Sequence, residues 1–223
     1  VHFSLKDFDA KKDTLAIYFK EQNGTLIKKY SSIDNEDKLK IKKGGNTFVW
    51  DTRYKGAEVL DGMIFWSASF SGAKAVPGNY EVILEKNGIS QKQSFEILQD
   101  PRSEVTLSEM IEQFDFVNLV NSSVDKAHKA IKNIRTIRKK LEDFEVLHKE
   151  NITLNPILKK AEKLNQSLTK IEKALYQTQN KSNQDPLNFP IRLTNKLGHL
   201  NQLVTINDFP PTDQDEIVRK LLT

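Results

Sequence analysis

Gln99-Asp100-Pro101-Arg102 is the stretch at which the texture of this chain changes. Upstream, short apolar runs alternate with polar residues and are broken by Gly, Pro and Asn. Downstream, apolar residues recur at threes and fours over most of the remaining length. Alternation is the signature of strands, and the longer period that of amphipathic helices. The break therefore predicts an α+β chain with segregated domains: an N-terminal all-β immunoglobulin-like sandwich over 1–99, a linker at 100–104, and an all-α antiparallel helical bundle over 105–223 with one long first helix.

Working back from the break, the nearest hairpin is the clearest. Pro77-Gly78 presets a turn, Tyr80 to Glu85 runs outward, Lys86-Asn87-Gly88 reverses the chain, and Ser90 to Leu98 returns. Period-two alternation turns Tyr80, Val82, Leu84, Phe95 and Ile97 inward and leaves Glu81, Glu85, Lys92 and Glu96 in water. Further strand candidates are Leu15–Phe19, Thr25–Ile27 after the turn pair Asn23-Gly24, Thr47–Trp50, and Met63–Trp66. About seven strands in about 100 residues is the size of an immunoglobulin-like sandwich.

Working forward, Thr106 and Glu109 form a capping box, with Val105 and Met110 at the staple positions. Met110, Phe114, Val117, Val124, Ile131, Ile134, Leu141 and Phe144 then keep a helical stripe, and neither Gly nor Pro interrupts Leu107 to Asn151. One helix of about 40 residues would be about 60 Å long. Its weak point is Asn121-Ser122-Ser123, three poor helix formers in a row. Asn155-Pro156 reads as a cap and first-turn proline for a second helix through Leu175, followed by a polar loop over Gln177 to Asp185. Ile191 to Leu203 gives a third helix. Pro210-Pro211-Thr212 recaps the chain for a fourth, which runs into the C-terminus and reads as truncated. At the other end, Val1 to Leu5 opens as a strand and not as a signal peptide, so the chain reads as a fragment.

Composition sets the function classes. The chain has 223 residues, 38% hydrophobic and 29% charged, which is a globular composition. No run approaches the roughly 18–20 apolar residues of a bilayer span. The net charge of +4 is spread evenly: 16 Lys/Arg against 15 Asp/Glu through Glu104, and 18 against 15 after it. That balance argues against a nucleic-acid binder. Lys126, Lys129, Lys132, Arg135, Arg138, Lys139 and Lys140 make the first helix locally basic, but no aromatic stacking residues interleave them, so a solvated face is the favoured reading. The stripe would also fit a dimer seam, although packing within the chain is favoured because the later helices need a partner.

Without cysteine there are no disulfides, no thiolate chemistry and no Cys-based zinc site. The histidines (His2, His128, His148, His199) are far apart and none has metal-ligand spacing, so each reads as a surface or half-buried residue. No nucleophile elbow or phosphate-cradling glycine loop is present, and no catalytic, cofactor or metal residue is assigned. One cluster invites a site: Trp50, Asp51, Arg53 and Tyr54, with Trp66 further on. Aromatic faces beside a carboxylate and a guanidinium would suit a sugar. The alternative, with Trp50 in the core and Asp51 and Arg53 holding a loop, is favoured, since aromatics of small sandwiches usually supply core area.

Several motifs carry a likeness to a known family. Gly45-Asn46-Thr47-Phe48-Val49-Trp50-Asp51-Thr52-Arg53-Tyr54, Pro77-Gly78-Asn79-Tyr80, Gln93-Ser94-Phe95 and Asp100-Pro101-Arg102 lie on the β side. Glu112-Gln113-Phe114-Asp115-Phe116, Ile134-Arg135-Thr136-Ile137-Arg138 and Asn188-Phe189-Pro190-Ile191-Arg192-Leu193 lie on the helical side. Together they resemble the C-terminal region of large bacterial β-propeller proteins with sortilin-like or BNR-type repeats, often labelled glycosyl hydrolases. There, a small immunoglobulin-like domain follows the propeller and leads into a helical tail. No Asp-box segment and no repeated blade is present here, so the propeller is missing and no family catalytic residue maps onto this chain.

The resemblance implies an extracytoplasmic setting, in the periplasm, at the cell envelope or secreted, with the parent's own N-terminal propeller as partner. The expected function is a non-catalytic interaction or scaffold region. The rival is a carbohydrate-binding accessory region of a glycoside hydrolase with a glycan as partner. A third class, nucleic-acid binding through Lys126 to Lys140, predicts salt-dependent retention on DNA, which is not expected.

Overall fold

The computed structural model describes residues 1–34 and 38–223. It is a mixed chain: two β-sheets with six strands among the described residues, followed by a region of four α-helices, the first of them long. Two compact units emerge. The β-unit comprises Val1–Gly56 and Ser71–Phe114, and the helical unit comprises Ala57–Phe70 and Asp115–Thr223. Residues 57–70, which fall inside the span 1–99 assigned by sequence to the sandwich, thus belong with the helices.

In the β-unit, β1 (His2–Leu5) pairs with β4 (Gly44–Thr47) as a two-stranded antiparallel sheet. The larger sheet has the order β3 (Leu26–Ser31), β2 (Leu15–Glu21), β5 (Gly78–Lys86) and β6 (Ile89–Ile97), all antiparallel. The β2–β3 turn uses Gly24 at φ +89°, and the β5–β6 turn uses Asn87 and Gly88, both at positive φ, as a two-residue hairpin requires. Register puts Ile17 opposite Tyr30 and Leu84, and Phe19 opposite Val82. The buried face follows from that alternation: Leu15, Ile17, Phe19, Tyr30 and Tyr80 are core, with Val82, Leu84, Phe95 and Ile97 packed against them. On the opposite face of the hairpin, Lys92 pairs with Glu81 at 2.7 Å.

Two strand expectations are corrected. Thr47–Trp50 keeps ladder pairing only at Thr47, with two further bonds at Phe48, whose N–H donates to the Val1 carbonyl at 2.8 Å and whose carbonyl accepts from the Val1 amino group at 2.7 Å. Met63–Trp66 is not a strand at all. Gly62 turns the chain at φ +76°, and the backbone N–H groups of Ile64 and Trp66 donate to the Tyr176 hydroxyl and the Asn195 side-chain carbonyl, each at 2.8 Å. Their partners are side chains, so no ladder forms.

α1 runs unbroken from Leu107 to His148, and from Asp115 onward it belongs to the helical unit. Its capping box is formed: the Thr106 N–H donates to Glu109 at 2.7 Å, and the Glu109 N–H donates back to Thr106 Oγ1 at 3.3 Å. Asn121–Ser123 does not break it, because Asn121 is buried and accepts from Asn201 while Ser123 bonds the Leu119 carbonyl. Phe116, Val117, Val120, Val124, Ile131 and Ile134 make its buried stripe.

α2 (Asn155–Leu175) follows a single 3₁₀ turn over Ile152–Leu154. Asn155 does not cap α2 but lies within it, with Pro156 in the first turn; the N-cap is Leu154, without a side-chain bond, and Asn151 caps the 3₁₀ turn by accepting from the Thr153 N–H. α3 (Leu193–Val204) and α4 (Asp213–Leu222) complete the unit, the latter with a Thr212–Asp215 capping box. No helix of the described residues is long and apolar enough to cross a membrane.

Candidate binding cleft of the β-unit

The sequence-selected cluster starts where β4 ends. After Thr47 the chain continues to Trp50 and then turns sharply at Thr52, which sits at φ +57°, a left-handed conformation that is costly for a β-branched residue. Asp51 makes that turn: its Oδ1 accepts from the Arg53 N–H at 3.1 Å, as short polar side chains do in turns. The turn is then stitched to residues 72–75. The Tyr54 N–H donates to the Ala73 carbonyl at 2.9 Å, the Ala75 N–H to the Thr52 carbonyl at 2.7 Å, and Arg53 Nη1 to the Gly72 carbonyl at 3.1 Å. Gly72 is obligatory, because a Cβ there would lie 2.0 Å from the Tyr54 carbonyl oxygen.

Trp50 itself is half-buried and packs against the core. Its ring stacks on Phe19 with centroids 4.3 Å apart and planes 19° apart, and it meets Tyr80 and Phe95 edge-on at 6.5 and 6.3 Å. Its indole N–H donates to the Arg53 carbonyl at 3.1 Å. Tyr54 donates its hydroxyl to Glu21 at 2.7 Å and packs edge-on to Phe114 at 4.8 Å. Burial, and then the Glu21 carboxylate, holds that hydroxyl far above the ordinary phenol range. Trp50, Asp51, Arg53 and Tyr54 are therefore neighbours with structural duties. Trp66 belongs to the helical unit, where Asn195 grips both its backbone N–H and its carbonyl at 2.8 Å and leaves the residue 40% exposed.

Beside Trp50 lies a cleft of about 460 Å³. Phe48, Trp50 and Thr52 line one wall; Val82, Gln93 and Phe95 of β5 and β6 line the other. The lining is mainly apolar, with Gln93, the threonine hydroxyls and His2 as polar points, and His2 Nδ1 is within 3.0 Å of Thr47 Oγ1. Such a lining, apolar area with a few hydrogen-bonding groups, is the chemistry that small-molecule sites use. Val49, beside it, is 82% exposed. No local pattern signals the cleft, since its lining joins Val1, His2, Phe19, the 47–52 stretch, Val82, Gln93 and Phe95, which are far apart in the chain.

The polar groups that matter to the helical unit were also missed. His128, read as a surface or half-buried residue, is 1% exposed, with Nδ1 on the Glu58 carbonyl and its ring among Phe65 and Phe70. Glu172 is 3% exposed and receives Arg135 at 2.8 Å and Arg138 at 2.7 Å. A His128 within the helical stripe, and a carboxylate on a helix that follows an Arg-rich one, are the only sequence traces of these pairs. Among the described residues, no group of three or more His, Asp or Glu is placed to hold a metal ion. Compared with known proteins, the chain matches no family model, no curated protein and no solved structure.

Proposed function

We propose that this chain is a non-catalytic interaction region: an immunoglobulin-like sandwich and a helical region that together position a β-propeller of the same extracytoplasmic bacterial parent protein. The observation that carries the non-catalytic reading is the state of the Trp50 cluster. Trp50 is stacked on Phe19, Asp51 makes a turn, Arg53 holds a loop carbonyl and Tyr54 is bonded to Glu21, so the groups that would serve a sugar or a reaction are spent on structure. Two sheets sharing one core support the sandwich reading. The propeller and the setting rest on the sequence resemblance.

The test is the parent reading frame. A propeller encoded before Val1, and co-purification of that propeller with this chain when the two are produced separately, is the expected result. A parent lacking a propeller overturns the partner assignment.

The second reading, a carbohydrate-binding accessory region, is favoured by the cleft, whose aromatic lining, Gln93 and threonine hydroxyls are groups that sugars use. A glycan array on the intact chain separates the two. Specific retention that Gln93→Ala abolishes would establish the carbohydrate reading, and no retention is expected.

A further inference from the structure

Arg135 and Arg138 of α1 tie the long helix to its antiparallel successor as a hairpin, and two lines of residues run along α2, the first mixed and starting in the preceding 3₁₀ turn, the second apolar. The first, Leu154, Leu158, Ala161, Asn165, Leu168 and Glu172, is buried or half-buried and recurs at alternating steps of four and three. It faces α1, because Arg138 reaches Asn165 at 3.1 Å, Thr169 at 3.3 Å and Glu172 at 2.7 Å. The second line, Ile157, Leu164 and Ile171, recurs every seven residues, and these residues remain 49%, 47% and 51% exposed. On α1, Ile137 is 41% exposed. At about 100° per residue, Ile137 and the Ile157–Leu164–Ile171 line fall on the same rotational side of their seams. In an antiparallel pair that places them on one side of the hairpin.

Charge decides what this face suits. Between Lys132 and Leu175 there are 11 Lys/Arg and 6 Asp/Glu, a net of +5, against +4 for the whole chain, so the remainder nets −1. On α2, Lys159, Lys160, Lys163, Lys170 and Lys173 stand against Glu162 alone once the buried Glu172 is set aside. None of those five lysines has an ion-pair partner among the described residues.

We infer that this side of the hairpin docks an amphipathic helix of a partner protein, with its apolar seam on Ile157, Leu164 and Ile171 and acidic residues on its flanks. Seven-residue spacing is the register at which a third helix interlocks with a hairpin, and flanking charges set partner choice. A second copy of this chain would bring lysine against lysine, which disfavours self-pairing. An anionic bilayer would meet the charge but not the heptad register, and the line has none of the aromatic anchors of interfacial helices. The inference stands on residues separate from the cleft of the β-unit.

The test uses the intact chain and two synthetic helical peptides of about three heptads with Leu and Ile at the seam, one with Glu and one with Lys at the flanks. Fluorescence anisotropy is expected to show the Glu peptide binding at least about tenfold more tightly than the Lys peptide. Leu164→Gln with Ile171→Gln, shown by circular dichroism to keep its helix, is expected to lose about tenfold in affinity for the Glu peptide. Lys160→Glu with Lys163→Glu should invert the preference between peptides. Equal binding of both peptides, indifference to the Leu164 and Ile171 changes, or flotation with phosphatidylglycerol vesicles without peptide binding would each overturn it.

Discussion

Asn201 of α3 donates its side-chain amide to the side-chain carbonyl of Asn121 in α1 at 2.8 Å, and both residues are buried. The pair explains why α1 continues through Asn121-Ser122-Ser123. The asparagine that would otherwise compete for nearby backbone groups is engaged across the helix–helix contact. Asn201→Leu removes the donor to Asn121 Oδ1 inside the core and is expected to cost about 1 kcal/mol or more, as loss of a buried hydrogen bond does. Replacing both by Leu should cost less than the sum of the single changes. Urea unfolding of the four proteins in a double-mutant cycle checks it, and strict additivity would show that the pair is not coupled.

Gly198 lies inside α3, where alanine would ordinarily add about 1 kcal/mol of helix stability. Here a Cβ would come within 2.8 Å of the Phe70 ring and 2.9 Å of the Ala68 Cβ. The same turn of α3 offers its Gly198 carbonyl to the Ser69 N–H at 2.9 Å, so the 57–70 segment sits directly on the glycine. Gly198→Ala is therefore expected to destabilise the protein, by about 1–3 kcal/mol, as overpacking does. A thermal melt with a raised midpoint would refute this.

These two sites show what a sequence conveys and what it withholds. The capping box at Thr106–Glu109 and the alternation through Tyr80, Val82 and Leu84 are local patterns, and the structure realises both. Met63-Ile64-Phe65-Trp66 has the composition of a strand too, yet its fate is decided by Tyr176 and Asn195, more than a hundred residues away. Strand composition reports a preference for extended backbone and burial; it does not say whether a ladder or a set of side chains will meet the N–H groups. Trp50 was legible as core because bulky aromatics in small β-domains have nowhere else to go. The cleft beside it was not, because its lining joins the 47–52 stretch to Val82, Gln93 and Phe95, which no local pattern links.

His128 makes the helical unit sensitive to acid. Burial lowers its pKa, against the opposing pull of the Glu58 carbonyl and of the Asp125 and Glu58 carboxylates, with Arg135 adding to the lowering. Lys132 is paired with Glu58 at 3.2 Å. With Nδ1–H donated to the Glu58 carbonyl, the bare Nε2 is buried without a partner. The unfolded chain takes up the proton near pH 6.5 and the folded chain only at lower pH, so this stability is full above about 6.5 and lost as pH falls below it. The slope is expected to approach about 1.4 kcal/mol per pH unit for one proton, and His128→Gln should flatten it. Chemical denaturation between pH 7.5 and pH 5, at about half-unit steps, gives the slopes directly.

Glu172 behaves in the same direction over a lower range. Burial alone would raise its pKa, but the Arg135 and Arg138 guanidinium groups outweigh burial and hold it below the ordinary carboxylate value. Its contribution is therefore complete above the unfolded carboxyl value and disappears as pH falls through the lower folded one. Glu172→Gln leaves Arg135 and Arg138, both partly in water, facing a neutral amide and is expected to cost about 1–3 kcal/mol, as loss of charge-assisted hydrogen bonds does. Glu172→Met with Arg138→Met should recover much of that loss. If the single change proves as mild as an exposed ion pair, the network is not what ties α1 to α2.

Trp50 separates the two functional readings by a measurement that needs no ligand. Packed against the core, it contributes a ring stacked 4.3 Å from Phe19 and a hydrogen bond to the Arg53 carbonyl. Trp50→Phe keeps the apolar contact and drops the bond, for an expected loss of about 1 kcal/mol. Trp50→Ala opens a cavity and should cost about 3–5 kcal/mol. Phe19→Ala removes the other half of the stack and should cost a similar amount, with the two alanine changes non-additive because they share one cavity. A sugar platform would behave otherwise: Trp50→Ala would leave the unfolding midpoint within about 0.5 kcal/mol of the parent, as surface changes do, while glycan retention disappeared. Denaturant midpoints for these three variants decide between a tryptophan that holds the β-unit together and one that waits for a ligand.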